Sequence, residues 1–284
     1  MWQIAAMKLP RITVVTPSFN QAQFLERTLL SVLSQGYPDL EYIVLDGGST
    51  DGSVEIVKRY GHRLAFWRSG PDRGQAAALR EGFARATGEV LCWINSDDTL
   101  APRALERVGR IFSERPEVDL IYGGLHTIDA HDRRLFTQWA AIDLNTLVYE
   151  SAFTSQPSSF WRRTLYEKAG AVDESYRFAM DYDLLIRMLL AGSRPLKIRP
   201  VLANYRIHPA TKSSTQQRVC ADEVARTIAR HGLARGSGRA RLLRKYAYRL
   251  LRFARDPLRV VAAIESRLRG HGPEVLNDYP SAPP

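Results

Sequence analysis

Glu89-Val90-Leu91-Cys92-Trp93-Ile94 runs without a break into Asn95-Ser96-Asp97-Asp98. The first six residues are almost all apolar, which reads as a strand buried on both faces. The four polar residues that follow read as a turn at the rim of a sheet. Upstream, the same arrangement occurs twice more. Arg11-Ile12-Thr13-Val14-Val15-Thr16 stops at Pro17-Ser18-Phe19-Asn20, and Glu41-Tyr42-Ile43-Val44-Leu45 stops at Asp46-Gly47-Gly48-Ser49-Thr50-Asp51-Gly52. Between these strands, apolar residues recur at helical spacing: Phe24, Leu25, Leu29, Val32 and Leu33, then Val54 to Tyr60, then Gly74 to Thr87 after a short strand at Leu64 to Trp67. Alternating strands and helices predict a parallel sheet covered by helices. Ligands of such sheets bind beyond the carboxyl ends of the strands, so the three polar turns are expected to converge on one crevice.

Working downstream, a helix is expected over Pro102 to Phe112, and then the alternation breaks. Asp119 to Tyr122 and Leu125 to Asp129 read as two strands, with Leu135 to Trp139 as a hairpin partner. Ser158 to Trp161 reads as a strand, Thr164 to Ala169 and Met180 to Leu190 as helices, and Leu196 to Ile207 as two short strands around Pro200. The second half is therefore mixed and expected to lie beside the first sheet.

Asp97 and Asp98, adjacent at the end of an apolar strand, repel one another unless water or a cation screens them. Two readings meet that demand. A hard cation, Mn²⁺ or Mg²⁺, takes one or two carboxylates together with substrate phosphates. Alternatively, one of the pair caps the helix entered at Pro102.

Four motifs in order, Val14 to Asn20, Leu45 to Gly52, Gly70-Pro71-Asp72-Arg73-Gly74-Gln75, and Ala86 to Glu89 followed by Asn95 to Asp98, resemble glycosyltransferase family 2 over roughly residues 10 to 210. The resemblance implies the nucleotide-diphospho-sugar transferase (glycosyltransferase A-type) α/β fold, with a mostly parallel central sheet flanked by helices. It implies an inverting, metal-dependent hexosyl- or N-acetylhexosaminyltransferase with a nucleotide-diphosphate sugar as donor. By the same resemblance Asp46 recognises the nucleobase, Phe19 stacks on it beside Pro17, and Arg73 meets the diphosphate, with a solvated loop position as the alternative for Arg73. Asn95 stands where the family has the first aspartate of its Asp-X-Asp motif. Its amide oxygen is a weaker ligand, so the metal falls to Asp97 and then Asp98. Met180-Asp181-Tyr182-Asp183 resembles the family's Glu-Asp-X-Asp, with Met180 in place of Glu and Asp181 at the catalytic base. Asp183 is expected to pair locally with Arg187. Tyr205-Arg206-Ile207-His208, with Ser213-Ser214, resembles a late motif that reaches the diphosphate and makes His208 a donor-site candidate. Gln156 and Trp161 are acceptor-side candidates, Trp161 with core packing as its alternative.

The chemistry requires two separate acidic sites. A hydroxyl acceptor is a poor nucleophile until a carboxylate takes its proton, and the departing diphosphate needs positive charge. The expected acceptor is a glycan or lipid-linked glycan, in cell-surface polysaccharide synthesis. The alternatives are a catalytically inactive sugar-nucleotide binder or a membrane scaffold. A sugar-nucleotide pyrophosphorylase needs a Gly-rich basic loop after the first strand, and Pro17 to Asn20 is not one.

Composition sets the remaining bounds. The 284 residues are 45% hydrophobic and 25% charged, with two cysteines and a net charge of +10. No disulfide framework, signal peptide or transmembrane run is expected, which places the protein in the cytoplasm. The charge is concentrated at one end. Residues 226 to 270 hold thirteen Lys and Arg against two acids, leaving the rest close to neutral. From Arg239 to Arg255 leucines and tyrosines share one helical side and basic residues the other. That pattern suits a helix lying on an anionic membrane surface, here through residues 239–269 at the inner face of the plasma membrane; packing on the catalytic domain is the alternative. No nucleic-acid-binding motif accompanies the charge. The expected division is a catalytic domain over 10–215 (nucleotide half 10–100, acceptor half 101–215), a basic helical extension over 216–270, and a disordered tail over 271–284.

Overall fold

The computed structural model describes residues 8–139, 141–150 and 156–233, together with 243, 246 and 247. The strand that opens the chain, β1 (Ile12–Ser18), is buried at all seven positions. It lies between β2 (Leu40–Asp46) and β4 (Val90–Trp93), parallel to both, and β3 (Phe66–Ser69) adds a parallel edge beyond β2. Side chains alternate across these strands. Ile12, Val14, Tyr42, Val44, Val90 and Cys92 pack with α1 (Ala22–Leu33), α2 (Ser53–Tyr60) and α4 (Ala104–Glu114). Val15, Ile43, Leu45, Leu91 and Trp93 face the opposite layer, which begins with α3 (Gln75–Arg85). Burial on both faces accounts for the continuous apolar runs. In α3, Gly82 lies so close to β1 that a Cβ there would come within 2.5 Å of Val15 Cγ1.

The second half continues the same sheet. β8 (Ser159–Arg162) runs antiparallel to β4, and β6 (Leu120–Ile128) antiparallel to β8. β9 (Leu196–Arg206) runs parallel to β6, and the two-residue β5 (Thr99–Leu100) closes the edge antiparallel to β9. β7 (Arg134–Gln138) forms the expected hairpin with β6. Strand order is therefore β3-β2-β1-β4-β8-β6-β9-β5. Six of the nine strands point the same way. Two expectations are corrected here: residues 120–128 form one strand where two were read, and residues 196–206 form one strand through Pro200, with register shifts against β6.

The outer layer of the second half holds α5 (Leu144–Glu150), α6 (Arg163–Ala169), α7 (Met180–Leu190), α8 (Lys212–Thr215) and α9 (Gln217–Arg230). Beneath it, Phe83, Trp93, Trp161 and Tyr166 form an aromatic cluster with centroids 4.9 to 6.1 Å apart. Such pairs contribute about 0.5–1.5 kcal/mol each beyond their burial. α9 packs against α7 and buries Val224, Thr227 and Ile228. Because β1, β2, β4, β6 and β9 run in one direction, the turns after β1, β2 and β4 and the end of β9 meet at one edge of the sheet.

Candidate active site

At that edge lies a cleft of about 940 Å³. Pro17, Phe19, Gly47 and Asp72 border one end, Asn95, Asp97 and Gln156 the middle, and Met180, Asp181 and one face of α9 the other end. Phe19 is exposed at the rim. It faces Asp72 across Gly47, where an added Cβ would lie 3.3 Å from the Phe19 ring and 3.2 Å from Asp72 Oδ2. Gly47 thus keeps that end open.

Asp46 does not reach the cleft. It is fully buried. Its Oδ2 accepts from the Gly48 and Ser49 amides and the Ser69 hydroxyl, and its Oδ1 accepts from Ser49 Oγ at 2.5 Å. The carboxylate holds the turn that presents Gly47, while Asp72 is the carboxylate that faces the open space at this end.

The acidic turn is tied down from three sides. Thr28 Oγ1 contacts the carbonyls of Ser96 and Asp98 at 3.0 and 2.7 Å. Asn95 Oδ1 accepts from Gln75 Nε2 at 2.8 Å, and its amide nitrogen donates to Asp98 and Gln156. Gln156 in turn donates to the Trp93 carbonyl. Asp98 is fully buried and accepts the Arg206 backbone N–H at 2.9 Å. Burial, and then the Asp97 charge beside it, hold its pKa well above the ordinary carboxylate range. Asp98 therefore joins the turn to β9 and does not face the cleft, which corrects its expected place as second metal ligand.

Asp97 does face the cleft, and Arg206 and His208 hold it there. The Arg206 guanidinium, itself buried, donates to the Asp97 carbonyl at 2.7 Å and pairs with Asp132 at 2.6 Å. His208 Nε2 lies 3.2 Å from Asp97 Oδ2, and its ring packs on Phe24 with centroids 4.6 Å apart. Two cis ligands at about 2.1 Å on an octahedral cation stand about 3.0 Å apart, so this oxygen and nitrogen fit adjacent coordination positions. Among the described residues no group of three or more His, Cys, Asp and Glu side chains could hold a metal ion. The donor set suits a cation that completes its shell with substrate phosphate and water, and not a closed protein cage.

Asp181 stands in the first turn of α7 on the cleft wall. Asp183 turns away, is fully buried, and pairs with Arg187 at 2.7 Å as its i,i+4 spacing suggests. Of the remaining candidates, Gln156 lines the cleft. Trp161 sits in the aromatic cluster, 1% exposed, so core packing is its place. Arg73 is also outside the cleft: its side chain is 82% exposed and pairs with Glu174 at 2.5 Å over a separate hollow.

Three features of the site escape sequence reading. Lys212 Nζ donates to Gln75 Oε1 at 2.6 Å from the cleft wall. Burial lowers its pKa, and the charge of Asp97 opposes that shift. Glu223 of α9 accepts the backbone N–H groups of Arg177, Phe178 and Ala179 at 2.8 to 2.9 Å, fixing the entry to α7. α9 itself supplies one wall. Lys212 lies between His208 and Ser213 in the late motif and was within reach of the reading; nothing local marks Glu223.

A family model described as Glycosyl transferase family 2 matches residues 13–170, more than half of the chain. The chain belongs to glycosyltransferase family 2. Its relatives in the family include an uncharacterized glycosyltransferase of Mycobacterium tuberculosis, 30% identical over 199 residues and covering 69% of this chain and 75% of that protein. An uncharacterized glycosyltransferase of Nostoc is 28% identical over 238 residues, 77% and 71% of the two chains. A Mycobacterium bovis PGL/p-HBAD biosynthesis glycosyltransferase is 32% identical over 187 residues, 64% and 70%. Among solved structures, Staphylococcus aureus TarS in complex with UDP aligns with a TM-score of 0.61 at 18% identity, over 81% of this chain and 68% of that one. The match spans 41% of a longer TarS chain. The Pyrobaculum calidifontis mannosyltransferase PcManGT, in complex with GDP-Man and Mn²⁺, aligns with a TM-score of 0.61 at 20% identity, over 92% and 76%. The glycosyltransferase A-type fold follows from these likenesses. Asp181, His208 and α9 all lie beyond the residues that the family model matches.

Proposed function

We propose that this glycosyltransferase moves a hexosyl or N-acetylhexosaminyl group, with inversion, from a nucleotide-diphosphate sugar to a hydroxyl of a glycan or lipid-linked glycan, in cell-surface polysaccharide synthesis. The carrying observation is the shared cleft: Asp97, backed by His208, and Asp181 border the same space from different elements. The fold neighbours TarS and PcManGT, whose structures hold UDP, UDP-GlcNAc or GDP-Man, support a nucleotide-sugar donor.

In this reading Phe19 and Pro17 offer a flat apolar rim to the nucleobase, and Asp72 offers its edge a hydrogen-bond acceptor. Asp46 acts through the Gly47–Gly48 turn that it holds. The donor diphosphate lies toward Asp97, His208 and Lys212. Mn²⁺ or Mg²⁺ held by Asp97 and His208 would supply positive charge to the leaving diphosphate. Asp181 removes the acceptor proton as the acceptor oxygen bonds to the anomeric carbon. The bond from that carbon to the diphosphate oxygen breaks, and its electron pair leaves with the nucleoside diphosphate. Asn95 and Gln156, locked to each other, shape the floor between the two acidic positions.

The test separates the two roles. Asp181→Asn is expected to retain donor binding and to lose transfer by at least about a thousandfold, within the range for a general base. Asp97→Ala is expected to lose the Mn²⁺-dependent part of donor binding, read by thermal shift across UDP-, GDP- and dTDP-sugars. Full turnover by Asp181→Asn would overturn the base assignment.

A further inference from the structure

The wall beyond Asp181 is built mostly of small and branched apolar side chains from a single helix. α9 turns Cys220, Ala221, Val224, Ala225 and Ile228 toward the space on one helical face, with Val224 and Ile228 on its buried side and Gln217 at its start. Glu223 and Thr227 lie on the adjoining flank of the helix, where they bind the entry to α7 and Tyr176. Phe178 and Met180, just ahead of Asp181 in sequence, border the same space. The charge of Asp181 acts on Cys220, so the stripe and the proposed base border the same space. The donor end mixes Pro17, Phe19 and Trp93 with the polar side chains of Asp72, Asn95 and Asp97.

We propose that the acceptor carries an apolar aglycone, and that the α9 stripe seats it while Asp181 receives the proton of the adjoining sugar hydroxyl. This deepens the transferase reading and rests on it. A group bonded near the attacking hydroxyl must lie on the wall beside the base. Sugar hydroxyls placed against Ala, Val, Ile, Met and Phe side chains would lose water without gaining partners. An alkyl or aryl group there gains burial with each methylene, enough for roughly a tenfold preference or more over the free sugar.

Cys220 provides a readout that needs no turnover. Of the two cysteines, Cys92 is buried and Cys220 partly exposed, and burial followed by the Asp181 charge raises the Cys220 pKa to about 11. Alkylation of the full chain by N-ethylmaleimide is followed by mass spectrometry, with octyl glucoside below its micelle concentration or glucose at equal concentration. The expected result is at least fivefold slower labelling of Cys220 with octyl glucoside, no change with glucose, and loss of the protection in Ala221→Glu. Ala225→Glu repeats the comparison should circular dichroism show Ala221→Glu unfolded. Equal labelling with and without octyl glucoside, or protection that survives the substitution, overturns the proposal. Failure of the transferase reading shows separately, as absence of transfer by the wild-type chain from every UDP-, GDP- and dTDP-sugar, because labelling does not depend on catalysis.

Discussion

Adjacent carboxylates in one turn can do different work, and Asp97 and Asp98 show how. Asp97 keeps an oxygen toward His208 and the cleft, whereas Asp98 gives one oxygen to the Arg206 amide and the other to Asn95. Their sequence context is the same; the difference is set by β9, which arrives from more than a hundred residues away. Asp97→Asn is therefore expected to weaken Mn²⁺-dependent nucleotide binding at least about tenfold, the scale of removing a charged ligand. Asp98→Asn, which keeps an acceptor for the Arg206 N–H, is expected to leave that binding within about threefold. Titration calorimetry with UDP or GDP and Mn²⁺ decides between them. Comparable losses in both variants would return Asp98 to the metal. Motif position located this turn, and hydrophobic context placed it at a strand end. It could not tell which of two neighbouring side chains faces the substrate, since that depends on a partner strand. For Trp161 and Arg73 the alternatives left open, core packing and a solvated loop, describe where the side chains lie: residue type allows a role, but only packing decides whether a side chain meets the cleft, the core or the solvent.

Elements were legible where one period held throughout. The helix expected at Met180 to Leu190 coincides with α7, and the first parallel strands lie within a residue or two of their reading. The two strands read on either side of Gly123-Gly124 are one β6 in the structure. In the sheet those glycines admit neighbouring chain, and a Cβ on Gly123 would come within 2.6 Å of the Pro200 carbonyl. β9 was split at Pro200, which a register shift accommodates. The least legible element was α9, which sequence reading assigned to the extension. Its Glu223 accepts three N–H groups ahead of α7, so Glu223→Ala leaves buried donors unpaired, at a cost of about 2–3 kcal/mol. The melting temperature should fall by roughly 5–10 °C, and turnover should fall more than donor affinity because the displaced segment leads into Asp181. Unchanged melting would refute the latch. A second tie is Asp173 to Arg230, 2.7 Å apart. Burial alone would raise the Asp173 pKa, but hydrogen bonds from Arg230 and Ser175 outweigh it and hold the value at about 2. A depressed acid pKa stabilises the fold above its ordinary value near 3.8 and loses that contribution as pH falls through about 2. Wild type should thus exceed Asp173→Asn in stability at pH 7, by no more than about 1 kcal/mol for so accessible a pair, and the two should converge near pH 2 in denaturant titrations.

At the scale of the molecule, the basic segment begins about where the described body of the protein stops. Sheet, cleft and α9 account for residues up to 233, and among these described residues no helix is long and apolar enough to cross a membrane. The proposed membrane contact, residues 239–269, lies outside the described residues except for Leu243, Tyr246 and Ala247, which are helical and exposed. Seven Lys or Arg fall between 239 and 255, and each contributes about 1 kcal/mol near an anionic surface. That attraction falls off within a Debye length and weakens with salt. The full chain should therefore float with phosphatidylglycerol vesicles at low ionic strength, be released by about 0.5 M salt, and ignore phosphatidylcholine vesicles. A chain ending at 233 should stay behind while keeping its melting temperature. The cut belongs at 233 and not at 215, because a chain ending at 215 also loses Glu223 and the buried Val224 and Ile228. Such a chain would fail to float merely by unfolding. Equal flotation of the 1–233 chain and the full chain would move the membrane contact off the basic segment. It would leave the thirteen Lys and Arg between 226 and 270 without a role in attachment.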